Sequence, residues 1–409
     1  MNHVSMKTLL GLGGAAAVAI IAATVISSNR QPVTDVAPLA SGYLITELKD
    51  HINDVRSVTI TIAEDKPVVT LSRSGKGWTV QEKGGYAADT GKLRELLLKL
   101  ADARLMEAKT TNERHYADLG VEEIKSAGAK GVKVVLSGLA SPAELIIGHI
   151  SAKSGGTFVR RPGDTQSWLA KGSLTVDRDP ANWIDRAIVD IAPERISEIT
   201  LTKPGGKPVR AVRDPSTGSL KLADIPAGRE AADAVSGLAS TLSGLTLEDV
   251  MPASSIQIPG NDKLLQAVYR TSDGVKLNMW GWGQDGKHYV RISPILEHSE
   301  AESKIQADQA KAKSEFEEKL KADPKLTAPI AVSDPAKDKE QRLAALASEV
   351  SELNLRVDGW VYVLPPYKYG NLDKSMDDLL KPAAAAAKTD DSKAERKKPS
   401  AKKMESKKK

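Results

Sequence analysis

The sequence predicts an α+β chain: two repeats of mainly antiparallel sheet with packed helices, an N-terminal transmembrane helix and an inserted helical hairpin. Three observations carry this. Residues 55–71 read VRSVTITIAEDKPVVTL and residues 196–212 read ISEITLTKPGGKPVRAV, so at a fixed offset of 141 Val58 faces Ile199, Ile60 faces Leu201, Lys66 faces Lys207 and Pro67 faces Pro208. The offset persists past a helical stretch to Met106-Glu107 and Leu247-Glu248, which marks an internal duplication. Short apolar/polar alternations joined by hairpin-length connections mean antiparallel pairing. Each half then reads as two or three strands, a helix, four strands and a closing helix.

From the N-terminus, residues 8–26 (TLLGLGGAAAVAIIAATVI) carry no charge. That length spans a hydrocarbon core, and no small-x-small cleavage site follows Ile26, so an uncleaved anchor is the reading preferred over a signal peptide. Lys7 on the short flank orients the N-terminus inward and the body outside the cytoplasm. Gly11, Ala15, Ala19 and Ala23 form a small-residue stripe against which a partner helix could pack. The anchor occupies residues 1–29 and a Pro/Ala/Ser stalk residues 30–50.

The first repeat, 51–191, opens with strands at Val55–Ile62, Val68–Leu71 and Trp78–Val80. Asp89 or Thr90 caps a helix with Leu93, Leu96, Leu97 and Leu100 on one face. Strands follow at Val132–Leu136, Leu145–Ile147, Thr157–Arg160 and Ser167–Ala170, and a terminal helix is expected over Ala181–Val189. The second repeat, 192–382, retraces this with strands at Ile196–Thr202 and Val209–Arg213, then a helix carrying Val235, Leu238, Leu242 and Leu245. Further strands lie at Leu265–Arg270, Val275–Trp280, His288–Ile292 and Trp360–Leu364, and the closing helix carries Leu372, Met376, Leu379 and Leu380. An insertion, 296–357, has no counterpart in the first half. Residues 297–322 lack Gly and Pro, and a second helix carries a heptad seam of Leu343, Leu346, Val350, Leu353 and Val357. Two heptads do not make a stable coiled coil alone, so the seam must pack on the first helix or on another chain. Its first four residues are the candidate partner contacts.

Composition limits the chemistry. The chain has no cysteine, which removes disulfides, thiolate metal sites and a cysteine nucleophile. Of the formal net charge of +5, the tail 383–409 contributes +6, from nine Lys and one Arg against four acids, leaving the rest near −1. That tail has almost nothing to bury and is expected to be disordered, and a body without basic character disfavours nucleic-acid binding. No HExxH or GxSxG is present, the six histidines show no metal-ligand spacing, and neither a metal nor another cofactor is expected. The paired acids Glu107/Glu248 and Asp89/Glu230 are read as turns and caps, so no catalytic residue is assigned. The aromatics are the deviation: Trp280, Trp282, Tyr367 and Tyr369 fall within a second half rich in Trp and Tyr. Such side chains bind sugars, bind peptides or fill a core.

The combination of GWTVQEKGGYAAD, LMEAKT followed by YADLGVE, QSWLA, DPANWIDRAIVDI and YKYGNLDKSMDDLL resembles the bacterial DUF4340 domain proteins, over about residues 40–382. The resemblance implies an envelope protein associated with ABC-type export systems of the kind related to gliding-motility auxiliary proteins, and it defines no catalytic residue. The expected function is therefore a non-enzymatic, single-pass auxiliary or scaffold subunit of such an assembly at the bacterial inner membrane, body outside. The alternative is an extracytoplasmic binding module for a glycan, peptide or cell-wall ligand.

Overall fold

The computed structural model describes residues 42–75 and 77–382. The apolar segment 8–26 with its Gly11, Ala15, Ala19 and Ala23 stripe, most of the stalk and the Lys-rich tail lie outside the described residues. Among the described residues no helix is long and apolar enough to cross a membrane.

In the first half, β1 (Ser57–Ile62), β2 (Lys66–Ser74), β3 (Gly77–Val80) and β4 (Tyr86–Ala87) precede helix α1 (Thr90–Asp102). Then come β5 (Leu105–Ala108), β6 (Val132–Ser137), β7 (Ala143–Ile150), β8 (Thr157–Arg160) and β9 (Ser167–Ala170). A short β10 (Ala187–Val189) leads to β11 (Ile196–Thr202), β12 (Val209–Arg213), β13 (Leu220–Leu222) and the one-turn α2 (Ala234–Leu238). The second half continues with β14 (Leu245–Thr246), β15 (Asp249–Pro252), β16 (Leu265–Thr271), β17 (Val275–Gln284) and β18 (Lys287–Leu296). The long helices α3 (His298–Ala322) and α4 (Pro335–Val357) separate these from β19 (Trp360–Val363) and α5 (Pro366–Leu372).

The two large sheets share one strand order. The first runs β4-β3-β2-β1-β6-β7-β8-β9-β5 and the second β13-β12-β11-β16-β17-β18-β19-β15, so each strand from β1 to β9 has its counterpart ten numbers on, save the edge strand β4. The strand pairs of these sheets are antiparallel, and the class is α+β. Val58 and Ile60 are buried as Ile199 and Leu201 are, the face that alternation assigns them. One irregularity breaks the constant offset: a bulge between Ile60 and Thr61 shifts β1 against β2, so Val58 pairs with Leu71 while Ile199 pairs with Ala211. Arg73 thereby stands where Arg213 stands, one residue away from the ungapped match.

Helix α1 forms as its sequence asks. The Asp89 side chain accepts from the Lys92 amide as the N-cap, and Leu93, Leu96, Leu97 and Leu100 are buried. In the second half the four apolar positions Val235, Leu238, Leu242 and Leu245 are also buried, but α2 ends after one turn, passes into a 3₁₀ turn at Ala239–Leu242, and Leu245 lies in a strand.

Two expected helices are absent from their places. Residues 181–189 make a 3₁₀ turn, Pro180–Asn182, and then run extended into β10. Ile184, Ile188 and Ile191 have helical spacing, yet the segment is an extended connector bonded to both halves that turns these side chains into the core, so packing and not helical periodicity sets the pattern. The closing helix is also shorter and earlier: α5 ends at Leu372, and Leu379 belongs to a separate 3₁₀ turn. Each half nonetheless closes in the same way, since Ile184 bridges back to Ala88 and Leu380 to Ala231.

One large core runs through both halves, and each sheet also carries a small core on its other face. The halves meet where Tyr86 packs edge-on against Trp360, centroids 4.9 Å apart, and Lys83 pairs with Asp249 at 2.6 Å. Gly84 sits in that seam at φ +67, and a Cβ there would collide with the Pro252 ring, whereas Gly85 at φ +79 faces open space. Gly85→Ala should cost only left-handed strain of about 1–2 kcal/mol. Gly84→Ala should add an overpacking cost of about 1–3 kcal/mol. Urea unfolding of the two variants checks this, and equal losses would show that the seam is not tightly packed.

Candidate functional site

The helical insertion is built on a doubly clamped root. Arg195, in the turn that enters β11, donates from Nε to Asp273 and from both terminal nitrogens to Glu349 of α4, all at 2.7 Å. This bidentate geometry is the strong form of the arginine–carboxylate pair. Burial would raise the Asp273 carboxyl, but Arg195 and Thr271 more than offset that and hold it below the usual aspartate range. At the other root Glu297 accepts from Arg270 and Lys276, both at 3.1 Å. Gly274, at φ +91, lets α3 approach the β16–β17 turn, since a Cβ there would lie 2.7 Å from the Ala301 nitrogen.

Further out, Glu302–Lys339, Asp308–Arg342 and Gln309–Asp338 tie α3 to α4 at 2.7–2.8 Å. Past these ties Leu320, Leu326 and Ile330 are exposed. The 25 residues of α3 reach about 37 Å at 1.5 Å per residue. The seam on α4 faces the body for part of its length: Val350 and Val357 join the large core, Leu346 and Leu353 pack against it, and Leu343 is half-buried. Of the proposed partner contacts, Val350 is therefore occupied by this chain's own sheet.

The four aromatics proposed for binding are divided between surfaces. Trp280 and Trp282 share one face of β17, but Trp282 is buried and stacks on Tyr289 at 5.5 Å within the small core. Residues 253–264 cover that core, as residues 109–131 cover the corresponding face of the first sheet with Tyr116, Val121 and Ile124. Trp280 is half-buried with the Arg291 guanidinium 5.4 Å from its ring. Tyr369 lies on the opposite face, over Gly281, stacked on His288 at 4.4 Å, and burial pushes its hydroxyl up to about 12. Tyr367, next but one on α5, is 68% exposed and stands apart from the other three. Aromatic enrichment here tracks a second core that alternation along one strand does not reveal.

A concave surface that sequence reasoning missed lies in the first half. A groove of about 490 Å³ runs between α1, the β2–β3 hairpin and the turn Ile52–Asp54. Its floor is Val55, Leu93 and Leu97; Trp78 and Leu98 wall it, and Arg73 and Arg94 stand at its rim. These residues are scattered in sequence, so no motif announced them. Among the described residues no group of three or more His, Asp or Glu could hold a metal ion.

The family model described as a domain of unknown function, DUF4340, matches residues 78–263. The match begins at Trp78, crosses from the first half into the second and stops before the insertion. No curated protein and no solved structure matches the chain.

Replacing Arg195 with Met should leave Asp273 and Glu349 facing each other and loosen the arm's root, at a cost of about 2 kcal/mol. Hydrogen exchange across 335–357 should accelerate while β6 and β7 keep their protection. Asp273 has a depressed pKa, so its contribution is fully present above the ordinary aspartate value of 3.8 and is lost as pH falls below it. Pepsin nicking of α4 should rise in that window, and a flat profile would show that the clamp does not hold the arm.

Proposed function

We propose that this protein, which contains a DUF4340 domain, is a non-enzymatic scaffold that presents a rigid helical arm to a protein partner in an ABC-type transport or related envelope assembly. The observation that carries this reading is the contrast along the arm. Its root is locked to the β16–β17 turn by Arg195, Asp273, Glu349 and Glu297, while Leu320, Leu326 and Ile330 near its far end are exposed. Apolar side chains held away from a body by a stiff support are placed for contact. The uncharged stretch 8–26 would tether the body to the inner membrane, with the arm outside the cytoplasm.

A binding module for a small ligand is the second reading. Tyr367 remains open to solvent, and the groove along α1 favours this reading more than the buried Trp282 and Tyr369 do.

The test is site-specific photocrosslinking in cells, with the probe at Leu326 and, as a control, at exposed Ile150 on β7. A partner should crosslink from Leu326 only. Removing residues 310–334 and joining the helices by a short Gly/Ser linker spares the ties at Asp308, Asp338 and the root. That variant should fold normally and lose at least tenfold of the partner recovered with the intact chain. Recovery of the same partner without the outer arm would overturn the arm as its contact.

A further inference from the structure

The groove along α1 has a floor of side chains that make no polar contacts and a rim that is cationic. Val55, Leu93 and Leu97 are buried beneath it, Leu98 is 44% exposed beside it, and no acidic residue is among its lining. Arg73 donates one side-chain hydrogen bond, from Nη1 to the Asn53 carbonyl at 2.9 Å.

The second half supplies an internal comparison. There Arg213 stands in the place of Arg73 and turns its guanidinium onto three carbonyls, of Pro193, Ile196 and Gly218. Trp78, opposite Arg73 on the hairpin, is replaced by the buried Leu220, opposite Arg213. The buried positions Leu93, Leu96, Leu97 and Leu100 correspond to Val235, Leu238, Ala239 and Leu242, which puts Ser236 and Ser240 where Arg94 and Leu98 stand. The second half keeps the frame and lacks both the apolar wall and the second guanidinium.

We propose that the groove of the first half binds a single-chain anionic amphiphile, with the acyl chain along Trp78, Leu97 and Leu98 and the anionic head between Arg73 and Arg94. The volume is that of a small-ligand site. Two guanidiniums with no acid among the lining residues, the nearby Asp54 and Glu95 being paired with His51 and Lys99, complement a phosphate or carboxylate. An acyl chain suits the floor better than a peptide does, because a peptide would bring amides that the apolar floor cannot satisfy. This site is independent of the arm and of any partner on it.

Native mass spectrometry of the full chain, released from detergent with added probes, tests this. The probes are lysophosphatidylglycerol, lysophosphatidylcholine and palmitate. The anionic probes should be retained at least tenfold better than lysophosphatidylcholine, and Arg94→Gln should abolish most of that preference. Retention of lysophosphatidylglycerol alone identifies a phosphate head and a lipid source; retention of palmitate alone identifies a free carboxylate. A brominated-chain version of the retained probe should quench tryptophan emission in the intact chain and much less in Trp78→Phe. Equal retention of anionic and zwitterionic probes, retention unchanged by Arg94→Gln, or quenching unchanged by Trp78→Phe would each overturn the proposal. So would an acidic apolar peptide that binds where none of the three amphiphiles does.

Discussion

Between Trp183 and Ile191 the backbone is bonded first to one half and then to the other. The Asp89 amide donates to the Trp183 carbonyl at 2.7 Å and the Asp185 amide donates to Ala87 at 2.9 Å. A few residues on, the Leu247 amide donates to Arg186 at 3.0 Å, β10 pairs with β14, and the Ile191 amide donates to Leu242 at 3.1 Å. Side chains reinforce the stitch: the Trp183 indole is buried, donates to Asp177 at 3.1 Å and lies under the Lys92 ammonium. A connector that packs its apolar side chains into a core must have its inward polar backbone groups paired, and here both halves supply the partners. Because of this the two sheets share one large core instead of being two domains on a linker.

The same frame has been used twice with different ornaments. In both halves the chain between β5 and β6, or between β15 and β16, wraps the outer face of its sheet, with Tyr116, Val121 and Ile124 beneath it in one case and Trp282 and Tyr289 in the other. The β18–β19 connection was expanded into the arm, whereas its equivalent between Arg160 and Ser167 is a short loop held by the buried Arg160, which donates to Val121 and Asp164 at 2.8 Å. Surface loops tolerate such growth at small entropic cost, provided the flanking strands stay paired. The pairing of β19 with β15 keeps the sheet intact beyond the insertion.

What the sequence made legible was what depends on local pattern. Alternation placed most strands within a residue or two, Asp89 announced α1, and the absence of Gly and Pro announced α3. What stayed hidden depends on which elements become neighbours. Ile184, Ile188 and Ile191 imitate one face of a helix because two half-cores press on an extended segment. The heptad seam on α4 points at β18 and the shared core, since a long helix laid on the face of a sheet meets apolar surface there before it meets another helix. Trp280 and Trp282 lie on one strand face as alternation requires, but the segment covering them is set by loop length, which periodicity does not encode. The groove was invisible for the same reason: Arg73, Trp78, Arg94 and Leu98 are ordinary residues until the β2–β3 hairpin and α1 are laid side by side.

Groove and arm are joined by a contiguous run of contacts. Lys92 on the groove helix bonds Asp177 at 2.9 Å and covers Trp183; the connector carries on to Ile188, whose carbonyl accepts from Arg356 of α4 at 3.3 Å. Contiguity alone does not make a switch, because coupling needs an element with two arrangements of similar energy. Each link here is held in one arrangement by additional contacts: Trp183 by its buried indole, β10 by β14, and α4 by the Arg195 clamp and the burial of Val350 and Val357. Such a path fixes the position of the arm relative to the groove. A ligand in the groove and a partner on the arm would thus be held at a set separation, and that is a property of a platform.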